Sequence, residues 1–211
     1  MSKVDELFHA VEIGKSKLVP GLVQAALDEG VAPIDVLNKG MIDAMAVVGE
    51  KFKKNEIFVP EMLIAAKAIK KGVEVLKPHL ASGAAGALGK VIIGTVAGDL
   101  HDIGKNLVAM MIESAGFEVI DLGVDVPVEK FLTAYEENPG TKIVACSALL
   151  TTTMPALQQT VAALNAASWR GDVKVMVGGA PITQEFADKI GADAYTPDAA
   201  SAAKKAKELV A

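Results

Sequence analysis

The chain has 211 residues, of which 51% are hydrophobic, so it is long and apolar enough for one large domain or two small ones and is not disordered. Its net charge of −5 and the lack of a clustered basic face exclude a typical nucleic-acid-binding protein. No apolar run reaches the ~18 residues that a membrane span needs, and the first residues do not resemble a signal peptide. We expect a soluble cytoplasmic protein with no nucleic-acid or membrane partner.

Residues 1–81 follow a helical pattern throughout. Helices are predicted over residues 4–13 and 18–29, followed by a third that starts near Pro33 and a fourth that starts near Pro60. The apolar positions of the third helix share one face and are Leu37, Met41, Met45, Val48 and Phe52. Four helices with short loops predict an antiparallel bundle.

A Gly- and Ala-rich segment, residues 82–89, predicts a flexible linker. We therefore expect a helical cap domain over residues 1–89 and a second domain over residues 90–211. In the second domain, strands are predicted over residues 91–96, 118–122, 142–147, 173–177 and 192–195. The predicted helices are 103–115, 128–138, 154–167, 183–190 and 198–210. This alternation predicts an α/β fold with a doubly wound, five-stranded parallel sheet of the Rossmann or flavodoxin-like type.

Three loops that follow predicted strands have an unusual composition. They contain, in chain order, Asp99, His101, Asp102, Ile103 and Gly104; then Ser147, Leu149, Thr151 and Thr153; and finally Gly178 and Gly179. The carboxyl ends of parallel strands lie on one edge of a sheet, where ligands bind in doubly wound folds. We therefore expect these three loops to form one site.

His101 carries the most specific chemistry in these loops. Asp99 lies two residues before it and can hydrogen bond one ring nitrogen, which leaves the other nitrogen as a ligand or base. A hydrolytic metal site normally takes three protein ligands. However, His9 and His79 fall on expected surface positions of the helical domain, and Cys146 is expected to be a small core residue. A lone histidine suits a metal whose remaining positions are filled by a macrocycle.

A family resemblance accounts for the whole pattern. The three loops resemble the B12-binding signature of cobalamin proteins whose nucleotide base has left the cobalt: Asp99-x-His101-x-x-Gly104, Ser147-x-Leu149 and Gly178-Gly179. The stretch from Met45 to Phe52 and on to Pro60 resembles the helical cap of cobalamin-dependent methionine synthase. Nearly the whole chain resembles the small corrinoid proteins of methanogens and acetogens, which serve methyltransferases acting on methanol, methylamines or methoxylated aromatics.

The resemblance implies a role for each site residue. His101 would be the lower cobalt ligand, with Asp99 and Thr153 as its relay partners, although methionine synthase has Ser at the position of Thr153. Ser147 would hydrogen bond the base of the cofactor tail. The other residues implied in corrinoid binding are Asp102, Ile103, Gly104, Leu149, Thr151, Gly178 and Gly179. Phe52 and Val59 would cover the upper face of the corrinoid and shield the cobalt–methyl bond.

The same resemblance implies a function. The cofactor would be cobalamin or a related corrinoid that alternates between cob(I)alamin and methylcob(III)alamin. One substrate-specific methyltransferase would load the cobalt, and a second would pass the methyl group to tetrahydrofolate or to a thiol such as coenzyme M. A reductive activase is a further implied partner, and the isolated chain is not expected to catalyse turnover. The alternatives are a B12-dependent sensor, the small subunit of a carbon-skeleton mutase, and a doubly wound protein for a flavin or other nucleotide.

Overall fold

The computed structural model describes residues 2–76, 78–79 and 88–211. Contacts divide the chain into a helical unit and a sheet unit that begins at Leu88. Most of the linker predicted at residues 82–89 lies outside the described residues. Within the described part of the chain, no helix combines the length and apolarity needed to cross a membrane.

The helical unit contains the four predicted helices, and the third of them consists of three consecutive elements. Its elements are α1 (Lys3–Glu12), α2 (Val19–Asp28), α3 (Pro33–Leu37), a π-helix (Asn38–Ile42), α4 (Asp43–Lys53) and α5 (Val59–Leu76). A capping box between Ser2 and Asp5 starts α1, because the Ser2 hydroxyl accepts from the Asp5 N–H and the Asp5 carboxylate accepts from the Ser2 N–H. The expected helical N-terminal region is thus confirmed.

The third predicted helix differs in one respect from the regular α-helix that its spacing indicates. Its middle turn is the π-helix, in which the consecutive residues Gly40, Met41 and Ile42 are all buried. A regular amphipathic helix buries a narrower stripe, so the wider turn allows this segment to bury three neighbours. A Cβ on Gly40 would lie 2.7 Å from a Leu7 methyl group, which shows how closely this turn packs on α1.

The sheet unit alternates strands and helices as predicted. Its elements are β1 (Lys90–Thr95), α6 (Ile103–Ser114), β2 (Glu118–Asp121), α7 (Val128–Glu137), β3 (Thr141–Ser147), α8 (Met154–Ala166), β4 (Lys174–Gly178), α9 (Gln184–Ile190), β5 (Ala194–Tyr195) and α10 (Ala199–Val210). Neighbouring strands pair in parallel, in the order β2-β1-β3-β4-β5. The predicted fold class is confirmed.

The strand order places the binding edge. From β1 the chain first adds β2 on one side and then returns to add β3 on the other, so the topological switch point lies between β1 and β3. These two strands end together, because Thr95 is in register with Ser147. The loops that follow them therefore start next to each other. A short 3₁₀-helix, Thr151–Thr153, lies in the second of these loops, before α8.

Candidate functional site

The loop after β1 holds His101 against a buried carboxylate. Asp99 is fully buried, and its Oδ1 accepts from the backbone N–H of His101 at 3.1 Å and lies 2.7 Å from the imidazole Nδ1. Because a carboxylate only accepts, Nδ1 carries the proton and Nε2 of the neutral ring keeps its lone pair. The side chain of His101 is 47% exposed, so the ring is accessible at the edge of the sheet. The geometry supports the expected hydrogen bond from the His101 ring to Asp99.

The loop after β3 binds the second oxygen of the same carboxylate. Asp99 Oδ2 accepts from the Leu149 backbone N–H and from the Thr153 hydroxyl, both at 2.7 Å. Burial by itself would raise the pKa of Asp99, but the bonds from Leu149, Thr153 and His101 outweigh it and hold this pKa well below its usual value. The carboxylate therefore remains charged at neutral pH and joins the two loops at the switch point.

The same two loops also carry exposed apolar side chains. Leu100 and Ile103, on either side of the His101–Asp102 pair, are 73% and 74% exposed, and Leu150 in the second loop is 41% exposed. Several exposed apolar side chains in neighbouring loops mark a ligand- or partner-binding surface more often than a single one does. Apolar contacts next to a single imidazole nitrogen suit a large, largely apolar macrocycle.

The donor set fits a metal that brings its own equatorial ligands. Among the described residues, no group of three or more His, Cys, Asp and Glu side chains is placed to hold a metal ion. His9 is exposed beside Glu12, and His79 is exposed as well. Cys146 is buried in β3, and burial raises the pKa of its thiol, so it is a core residue as expected. The site thus offers one imidazole nitrogen to a metal.

Ser147 is the last residue of β3 and lies at the same edge of the sheet. Its Oγ lies 2.9 Å from the hydroxyl of Thr95, the last residue of β1, and the Thr95 hydroxyl donates to the carbonyl of His101 at 2.9 Å. Thr95 is fully buried. The sequence analysis did not single out Thr95, although a hydroxyl at the end of an apolar strand must find a partner and could have been noticed for that reason.

The three glycines of the predicted site are explained by different features of the structure. A Cβ on Gly179, which has φ of +127°, would overlap the carbonyl oxygen of Ala148, and one on Gly178 would lie 3.3 Å from the Thr196 carbonyl oxygen. Close approach of neighbouring loops therefore explains this pair without a ligand. Gly104 differs, because a Cβ there would meet nothing within 4 Å. The open space beside Gly104 is available to a ligand.

The remaining predicted site residues are spread more widely. Asp102 is exposed at the start of α6, where its carboxylate accepts from the Asn106 amide at 3.2 Å, and Thr151 is exposed in the second loop. Phe52 and Val59 belong to the helical unit, where both are half-buried. Their roles toward the cofactor stay predictions.

Two further features hold the His101 loop in place. The Asp125 carboxylate accepts from the Gly98 N–H at 2.7 Å, and the Asp125 N–H donates to the Asp99 carbonyl at 3.0 Å. The buried Lys105 of α6 donates to Asp121 at the end of β2, at 2.7 Å to Oδ1. The loop after β2 thus supports the loop after β1, a contribution that the sequence analysis missed because it depends on long-range contacts.

Comparison with known proteins agrees with this geometry. Residues 89–204 and residues 4–77 match two families that are each described as a B12 binding domain. Dimethylamine corrinoid protein 1 from Methanosarcina acetivorans is 43% identical over 209 residues, which cover 99% of this chain and 97% of that protein. Trimethylamine corrinoid protein 1 from Methanosarcina mazei is 45% identical over 194 residues, or 90% of this chain and 89% of that protein.

Solved structures show the same fold. A cobalamin-binding protein from Desulfitobacterium hafniense has a TM-score of 0.80 and 32% identity, covering 99% of this chain and 98% of that one. A chain of the methanol:cobalamin methyltransferase complex from Methanosarcina barkeri has a TM-score of 0.83 and 30% identity, with 99% and 79% covered. The fold and the site thus define a corrinoid-binding protein. The chain belongs to the B12-binding family of corrinoid proteins.

Proposed function

We propose that the chain carries a methyl group on the cobalt of its corrinoid between two methyltransferases and that His101 would be the lower cobalt ligand. The observation that carries this proposal is the bond from His101 Nδ1–H to the buried Asp99 carboxylate, which leaves Nε2 of a partly exposed ring free to bind a ligand. When bound, the corrinoid supplies a cobalt centre that accepts and releases a methyl group. The relatives support this role, since they are named corrinoid proteins for dimethylamine and trimethylamine.

The contacts of Asp99 match what such a histidine needs. A metal-bound imidazole requires a fixed tautomer, and an imidazole that leaves the metal requires a way to accept a proton without an unpaired charge. A charged Asp99 stabilises the protonated ring after release, and the Thr153 and Leu149 bonds keep the carboxylate in place. We propose that these residues couple cobalt ligation to proton uptake by His101.

We place the cofactor tail beside Ser147, at the carboxyl edge of the sheet. We propose that Ser147 donates its hydroxyl proton to the tail base and that the open side of Gly104 lies along the tail. In this proposal, the tail also passes Leu149, Gly178 and Gly179 at the same edge of the sheet. The entrance to the site is lined by Asp102, Ile103 and Thr151. The half-exposed position of Ser147 at the end of β3, in register with Thr95, supports this assignment.

The partners follow from the carrier role. One methyltransferase loads the cobalt from a methyl donor, a second passes the methyl group to tetrahydrofolate or to a thiol such as coenzyme M, and a reductive activase restores the reduced metal. The structural likeness to a chain of the methanol:cobalamin methyltransferase complex supports the first of these partnerships. The sensor alternative finds no support among the relatives named above.

The spectrum of the reconstituted protein tests the ligand assignment. Purified wild type, His101→Ala and His9→Ala are loaded with hydroxocobalamin, freed of unbound cofactor and compared by absorption. We expect stoichiometric corrin bands in wild type and in His9→Ala, whose imidazole is exposed in the other unit. His101→Ala should show a shifted spectrum or weaker retention. Identical spectra for all three would remove His101 from the cobalt, and no retained corrin would overturn the proposed function.

A further inference from the structure

Two hydroxyl groups under the His101 loop share their protons in a way that limits what each can do. The Thr95 hydroxyl donates to the His101 carbonyl at 2.9 Å and also lies 2.9 Å from Ser147 Oγ. A carbonyl oxygen only accepts, so the Thr95 proton is committed to His101. The bond between the hydroxyls must then be donated by Ser147. In this arrangement, Ser147 has no proton left for a ligand.

The packing of Thr95 fixes its backbone and leaves its hydroxyl as the group that can rotate. The Thr95 side chain is fully buried at the end of the interior strand β1, and Thr95 is in register with Ser147 on β3. The backbone of Thr95 is also fixed, because its N–H donates to the Gly123 carbonyl and its carbonyl accepts from the Val126 N–H. Rotation of the hydroxyl is therefore the simplest adjustment available to this residue.

We propose that Thr95 is a positioning residue that couples occupation of the tail-base site at Ser147 to the backbone of His101. This inference rests on the proposed function, in which Ser147 donates to the tail base. When Ser147 turns its proton to the base, Thr95 turns its own proton from the His101 carbonyl to Ser147 Oγ. Binding of the tail base thus costs the hydrogen bond from Thr95 to the His101 carbonyl. The loop that contains His101 is therefore held less tightly when the tail is bound than when it is absent.

A pair of corrinoids separates the tail from the ring. Hydroxocobalamin has the nucleotide tail, whereas diaquocobinamide has the same ring without the base. The ratio of their dissociation constants, cobinamide over cobalamin, measures the tail preference. It is determined by absorption titration for wild type, Thr95→Val, Thr95→Ser, Ser147→Ala and the double variant Thr95→Val/Ser147→Ala. Thr95→Ser keeps the hydroxyl and is the matched control, and Thr95→Ala is a second variant without the hydroxyl.

The proposal predicts an increase in tail preference when the Thr95 hydroxyl is removed. In wild type, tail binding costs the Thr95–His101 bond, and without that hydroxyl the cost disappears. Thr95→Val and Thr95→Ala should therefore raise the ratio about fivefold, the equivalent of one net neutral hydrogen bond, while Thr95→Ser stays near wild type. In the Ser147→Ala background, Thr95→Val should have no effect, because the exchange needs both hydroxyls.

The outcomes distinguish this inference from the function on which it rests. If Ser147→Ala lowers the tail preference but Thr95→Val and Thr95→Ala leave it unchanged, the coupling by Thr95 is refuted and the tail-base assignment stands. An equal effect of Thr95→Val with and without Ser147 also refutes the coupling. If wild type binds neither corrinoid, or if Ser147→Ala leaves the ratio unchanged even in the Thr95→Val background, where no compensating bond is lost, the tail-base assignment fails and the coupling fails with it. Unaltered cobinamide binding by the Thr95 variants verifies that they are folded.

Discussion

Asp99 is the residue on which the site depends. Its two oxygens accept from the ring and backbone of His101, from the Leu149 N–H and from the Thr153 hydroxyl, so one buried carboxylate holds two loops. A buried charge is tolerated only when it is compensated, and here the donors supply that compensation. The same contacts make Asp99 a source of pH-dependent stability.

Replacing Asp99 by Asn tests this contribution in the apo protein. An amide presents one oxygen and one NH₂ group to four donor contacts, so at least one buried donor loses its acceptor. We expect Asp99→Asn to lower the free energy of unfolding by about 1–3 kcal/mol at pH 7, measured by urea denaturation. Asp102→Asn is the matched control, because Asp102 is exposed in the same loop and should change stability by less than about 0.5 kcal/mol.

The pH dependence of this difference follows from the lowered pKa of Asp99. A carboxyl whose pKa is lower in the folded protein stabilises the fold above the unfolded pKa of about 3.9, and this contribution is lost as the pH falls further. The stability gap between wild type and Asp99→Asn should therefore narrow below about pH 4. A gap that stays constant from pH 7 to pH 3 would show that Asp99 is not held as a charged group.

At the scale of secondary structure, the loops after β3 and β4 pack so closely that one glycine is required. Gly179 has φ of +127°, and a Cβ there would overlap the Ala148 carbonyl oxygen. Gly104 is in the first turn of α6 with open space around it. Gly179 and Gly104, two of the three glycines of the signature, therefore serve different purposes, one in the protein's own packing and the other beside the expected ligand.

Alanine substitution at the two glycines should separate these purposes. Gly179→Ala combines an unfavourable backbone conformation with overlap, and we expect it to lose at least about 2 kcal/mol of stability by thermal or urea denaturation. Gly104→Ala should keep or slightly raise the stability of the apo protein, since Ala favours a helix. If the tail lies along Gly104, the added methyl group should nevertheless weaken corrinoid binding. Unchanged affinity in Gly104→Ala would remove that residue from the cofactor site.

Local patterns predicted the elements well, whereas features that depend on distant contacts were missed. The hydrogen bond between Asp99 and His101 follows from their spacing, and the alternation after Lys90 indicates the sheet because each strand and helix has its own periodicity. The bond between Thr95 and Ser147 requires the register of β1 and β3, which the sequence does not display. The π-helix around Gly40 likewise depends on packing against α1, and its apolar spacing alone is that of a regular helix.

At the scale of the whole molecule, each of the two units matches a family described as a B12 binding domain. The two family matches together extend from residue 4 to residue 204 of the chain. The described residues form a helical unit and one doubly wound sheet. The relative from Methanosarcina acetivorans has nearly the same length, because 97% of it is covered. A chain of the methanol:cobalamin methyltransferase complex has the same fold, which is consistent with a carrier that works with methyltransferases.

Dependence on a partner is therefore the decisive test of the carrier role. The protein is loaded with methylcobalamin, freed of unbound cofactor and mixed with coenzyme M or tetrahydrofolate, and loss of the methyl group is followed by absorption. Because the chain is expected to hold the cofactor without activating the acceptor, the rate should not exceed that of free methylcobalamin. Addition of a cognate methyltransferase should raise it by at least about tenfold, since positioning and activation of the acceptor lower the barrier. Rapid transfer by the isolated chain would contradict the carrier role. It would mean that the chain is itself an enzyme with a binding site for the methyl acceptor.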